Sequence, residues 1–133
     1  MATIENPLLT IDQDPLADEA DVKVACDVEF TDFEVNAMNE LGLQYRLTCR
    51  LYNKDLWDTE PIALFEDQII GKTADALAQQ SMHAVFETTR RREDLHTHVF
   101  SEDQLVAEIG LRDQESSAEV RVQTATLNVD LTL

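Results

Sequence analysis

The chain has 133 residues, 44% hydrophobic and 28% charged, a composition that suits one folded domain with its own core and excludes a disordered chain. Its formal net charge of -17 argues against a nucleic-acid backbone or an anionic membrane as the main partner. No apolar run is long enough to span a membrane.

Residues 1–21 carry Glu5, Asp12, Asp14, Asp18, Glu19 and Asp21 with no basic residue, and hold two of the three prolines, Pro7 and Pro15. They show neither the basic n-region nor the apolar h-region of a secretory leader, so a reducing, cytoplasmic or assembly-associated setting is expected. The stretch 1–20 reads as an extended acidic arm with one apolar segment, "PLLTI", ahead of a domain over 21–133.

From Val22 the pattern is strict alternation. Val22, Val24, Cys26, Val28 and Phe30 are apolar, with Lys23, Asp27, Glu29 and Thr31 between them, the period of a strand with one wet face. Leu43, Tyr45, Leu47, Cys49 and Leu51 repeat it against Gln44, Arg46, Thr48 and Arg50. "DFEVNAMNELG" between them reads as a long loop. "PIALFEDQII" reads as one strand or two short ones. Residues 73–80 read as a loop or short helix, and a strand is predicted from Ser81 to about Arg90. Leu105, Ala107, Ile109 and Leu111 alternate in the next strand. In the last stretch the inward parity flips between Val122 and Leu127, which predicts a bulge or bend in "QTAT". Six or seven such strands with little helix predict an all-β protein: a single antiparallel β-sandwich, immunoglobulin-like or C2-like at the level of architecture.

If the first two alternating strands form an antiparallel hairpin, one register places Cys26 opposite Cys49, Val28 opposite Leu47, Phe30 opposite Tyr45 and Val24 opposite Leu51. Every such pair is apolar, and slipping the register by one would set each against a polar residue. The two cysteines then read either as free core thiols or as a disulfide between neighbouring strands. Two cysteines alone do not make a structural zinc site, and there is no C-x-x-C redox motif.

Three further constellations stand out. Asp55, Asp58 and Glu60 around Trp57 form an oxygen-rich segment between strands, a candidate calcium site of C2-like type without the EF-hand spacing. His96 and His98 would share a face on a strand and could hold a transition metal, the basis of a weaker, metal-dependent enzyme reading. Arg90, Arg91 and Arg92 form the basic patch in "TTRRRED", a candidate docking point for the acidic arm of a neighbouring copy, with Leu8, Leu9 and Ile11 as the arm's apolar contacts. Serine-hydrolase, zincin, P-loop and dinucleotide motifs are missing from the sequence. The expectation is therefore a non-catalytic structural or interaction protein without an obligatory cofactor, a subunit of a homomeric filament, sheath, shell or virion component. A calcium-dependent binding module is the alternative.

Overall fold

Alternation of apolar and polar residues builds the first sheet of the computed structural model, which describes residues 1–14, 16–54, 61–95, 103–116 and 118–131. Strands β1 (Thr3–Asp14), β2 (Glu19–Glu29) and β6 (Ser81–Arg91) pair antiparallel in the order β1-β2-β6. Along β2, Ala20, Val22, Val24, Cys26 and Val28 are buried at 1% exposure or less, so every second side chain enters the core.

Residues 3–14, expected as an extended arm ahead of the domain, are an edge strand of this sheet. They pair with β2 from Thr3 opposite Glu29 to Asp14 opposite Glu19. The alternation there is disguised by a bulge: the register shifts between Glu5 and Leu8, and Asn6 takes a left-handed φ of 52°. Ile4 on one side of the bulge and Leu9 on the other are therefore both buried despite their odd spacing. Pro7, which has no N–H to donate, sits at the bulge of an edge strand, where it costs the ladder least.

The second sheet is centred on β3 (Tyr45–Asn53) and β7 (Asp103–Asp113), paired antiparallel along nine positions. The short β4 (Ala63–Leu64) and β5 (Gln68–Ile70) flank β3, and β8 (Glu119–Gln123) and β9 (Leu127–Val129) flank β7. The predicted break in "QTAT" is present: β8 and β9 both pair with β7, but their registers differ by one residue. Thr124 lies in that break, and its Oγ1 accepts from the Ala107 amide at 3.0 Å. The break bends one edge of a single sheet, so the chain does not cross between sheets there. β6 begins at Ser81 as expected, and residues 73–80 form no helix.

Between β2 and β3 the expected loop is a helix, α1 (Asp32–Leu41). Thr31 and Glu34 form a full capping box, and Gly42 ends the helix with φ 72°. Thr31, three residues before Glu34, carries the signature of a helix start, and Gly42 that of a stop. Glu34 does more than cap. Its carboxylate accepts from the Thr31 amide at 2.9 Å, the Tyr45 hydroxyl at 3.0 Å and the Ala2 amide at 3.0 Å. One side chain thus joins the start of β1, the helix and the start of β3.

The helix carries the chain from one sheet to the other, so β2 and β3 do not form the expected hairpin. Cys26 lies beside Ala84 in the first sheet and Cys49 beside Ile109 in the second. Their apolar faces still meet, across the core: the Phe30 and Tyr45 rings are 5.0 Å apart at a 53° tilt. On one flank, Phe65 packs edge-on against Phe86 at 5.9 Å and the Gln68 amide donates to the Val85 carbonyl at 2.8 Å. On the other, Gln13 Nε2 donates to the Asp130 carbonyl at 2.9 Å. Both sheets contribute to one continuous core. A second short helix, α2 (Arg92–Leu95), follows β6.

Candidate interaction faces

The site residues read from the sequence fare differently. Asp55, Asp58 and Glu60, and likewise His96 and His98, lie outside the described residues. Among the described residues no group of three or more His, Cys, Asp or Glu side chains is arranged to hold a metal ion. The third histidine, His83, stands on the outer face of β6 with its Nδ1 2.8 Å from Asp27 Oδ1. Bonds from His83 and then from Asn6 hold the Asp27 carboxyl below its usual range.

Cys26 and Cys49 are buried free thiols, so the disulfide alternative is not the state of this structure. Burial, and to a lesser extent the Asp27 charge, pushes Cys26 up to about 11. Burial, and then the neighbouring Cys26, pushes Cys49 up to about 12. Since the thiolate is the reactive form, both are quiet as nucleophiles near neutrality.

Of the expected assembly contacts, Leu9 is buried, Ile11 packs against the core, and Leu8 is 58% exposed on the outer face of β1. The three arginines divide. Arg90 donates to the Thr89 carbonyl at 3.2 Å, and Arg91 pairs with Glu93 at 3.2 Å. Arg92 is buried, donates to Asp18 Oδ1 at 3.0 Å and also bonds the Asp18 carbonyl through its amide. It fastens the β1–β2 turn, where Asp18 takes a φ of 53°, to the end of β6.

The surface that sequence reading missed comes from the strand order. Residues paired across a ladder share a face. On the outer face of the first sheet, Glu5 lies opposite Asp27, Asp12 opposite Asp21 and Asp14 opposite Glu19. One apolar row, Leu8–Ala25–Val85, crosses the same face. On the outer face of the second sheet stand Arg46, Arg50, Arg112 and Arg121, four of the chain's seven arginines. Arg46 lies opposite Arg112, and Thr48 opposite Gly110. Arg46 pairs with Asp67 at 3.2 Å, and Arg121 with Glu119 at 2.9 Å and Glu108 at 3.6 Å. Among the described residues, Arg50 and Arg112 have no carboxylate within salt-bridge distance. The signal was in the sequence, since these arginines fill the polar positions of alternating strands. Only the strand order shows that they converge.

Like charges directly opposite destabilise a ladder, and the net charge adds self-repulsion. The melting midpoint should therefore rise by a few degrees, equivalent to about 1 kcal/mol, between about 0.01 M and 0.15 M NaCl as screening tightens. A fall over that range would mean that the surface ion pairs outweigh the acid–acid rows.

No helix among the described residues is long and apolar enough to cross a membrane. No protein-family model matches the chain, and no curated protein matches it in sequence. Among solved structures it is similar to a bacterial adhesin from Mobiluncus mulieris that contains intramolecular disulfide, isopeptide and ester bond cross-links. The TM-score is 0.59 at 16% identity, over 96% of this chain and 49% of the adhesin chain. This chain thus spans about half the length of that one. The fold is an antiparallel β-sandwich, and at that identity the likeness extends to the fold alone.

Proposed function

We propose that the protein is a non-catalytic structural module that acts through its outer surfaces as a subunit of a homomeric assembly, such as a filament, sheath, shell or virion component. The observation that carries this reading is the pair of charged outer faces. Acid rows opposite acid rows, and Arg46 opposite Arg112, cost the isolated domain stability. Opposing surfaces of complementary charge on other molecules would relieve that cost. The similar adhesin contains cross-links within its own chain; in this chain the two cysteines are free, and contact between copies is proposed to be non-covalent. β1 belongs to the chain's own sheet, so its role in assembly would come from its outer face and free edge. Sedimentation velocity from micromolar to millimolar protein tests the proposal. Species larger than a monomer should grow with concentration, and a monomer at the highest concentration would overturn it.

A further inference from the structure

We infer that copies of the chain stack head to tail, with the outer face of the second sheet of one copy against the outer face of the first sheet of the next. This rests on the homomeric reading above and names the two surfaces that reading uses.

The second sheet supplies the cationic half. Arg50 and Arg112 are exposed, and no carboxylate among the described residues lies within salt-bridge distance of either. Glu119, opposite Arg112 in the ladder, is turned instead to Arg121 at 2.9 Å. It lies over Gly110, where a Cβ would come within 2.6 Å of Glu119 Oε1 and 3.0 Å of Thr48 Oγ1. The missing side chain at Gly110 leaves the room in which Glu119 folds across the centre of the face to Arg121, away from Arg112. Leu64 and Ile69, 59% and 49% exposed, sit beside Arg50 and Arg46 on the same face.

The first sheet supplies the anionic half. Its row Glu5–Asp27 lies on one side of the apolar row Leu8–Ala25–Val85, and on the other the row Thr10–Lys23–Glu87, whose lysine and glutamate pair at 4.0 Å, is followed by Asp12–Asp21. Guanidinium groups match carboxylates in fork geometry, and the apolar row offers a dry centre for Leu64 and Ile69 of the next copy. The two surfaces lie on opposite sides of the sandwich. A contact between different patches does not use up both faces of either partner, so it propagates into a row of copies.

The net charge of -17 sets the salt dependence. Two such chains repel over long range at low salt. At about 0.15 M the screening length is about 8 Å, which removes most of that repulsion and spares charges in contact, and at about 1 M it is about 3 Å, which weakens the contacts too. Association should therefore pass through a maximum at intermediate salt.

The test uses three variants of the chain, checked by circular dichroism melting. R50E/R112E reverses the exposed arginines, with R50Q/R112Q as a milder version that adds no new like-charge row. E5K/D12K reverses the acidic face and turns two acid–acid rows into opposite-charge pairs, so the fold is retained. By sedimentation velocity near 0.15 M salt, each variant alone should associate at least about tenfold more weakly than the parent chain. An equimolar mixture of R50E/R112E with E5K/D12K should recover association, because each reversed face then meets its complement. If the parent chain associates and all variants associate as tightly, the stacking assignment is overturned while the homomeric reading stands. If the parent chain is monomeric throughout, the homomeric reading falls and the stacking falls with it.

Discussion

Replacing Glu34 with alanine should lower the stability of the folded chain by about 2–4 kcal/mol, since hydrogen bonds to a charged, largely covered carboxylate contribute about 1.5–3 kcal/mol each and are not additive. Four donors lose their acceptor at once: the Thr31 amide and hydroxyl, the Tyr45 hydroxyl and the Ala2 amide. Thr31→Ala, which removes the capping hydroxyl but keeps the amide of residue 31, the Tyr45 hydroxyl and the Ala2 amide as donors to Glu34, should cost about 1 kcal/mol. Urea midpoints of the two variants at neutral pH make the comparison, and equal losses would refute the hub role of Glu34. The pH dependence adds a second reading. Burial alone would raise the Glu34 carboxyl, but bonds from Thr31, Tyr45 and Ala2 outweigh it and hold the group below its usual range. A folded-state pKa below the unfolded one means that the contribution is complete above the unfolded value of about 4.3 and is lost as pH falls through the folded value. The gap between the parent chain and Glu34→Ala should therefore narrow below about pH 4.

Leu47→Ala should be as costly, by about 2–5 kcal/mol, through lost burial and the cavity left behind. Leu47 is fully buried on the central strand β3, between Gln68 of β5 and Leu111 of β7. Its side chain enters the same core as Val24, Cys26 and Val28 of the first sheet. Leu64→Ala, at a side chain 59% exposed, should stay within about 0.5 kcal/mol. Comparable midpoints for the two variants would contradict the stacking of one sheet on the other.

The strands that alternate cleanly were legible in the sequence because burial on one face of a sheet imposes a period of two. β2, β3, β6 and β7 carry that mark, and so does the step between Val122 and Leu127. β1 was missed because the bulge at Asn6 and Pro7 breaks its period and because its outer residues are acidic. The helix was missed although Thr31, Glu34 and Gly42 spelled its two ends; its apolar stripe reduces to Ala37 and Met38 as buried residues. The pairing of Cys26 with Cys49 was half right for a physical reason. Matching apolar faces reveals which side chains share a core, but strands facing each other across a core and strands bonded within a ladder leave the same pattern. The arginine face was hidden in the same way, since Arg46, Arg50, Arg112 and Arg121 come from three strands brought together only by the ladder.

The two covered thiols make the seam between the sheets its own probe. Cys26 and Cys49 are the chain's only cysteines, one on each sheet, and their thiols are pushed up to about 11 and 12 by burial first of all. A maleimide reagent can reach them only when the sheets part, and the reaction then runs at the rate of an ordinary exposed thiol. The labelling rate of the protein, measured without any substitution, therefore reports the free energy of that opening, as amide exchange does for buried backbone.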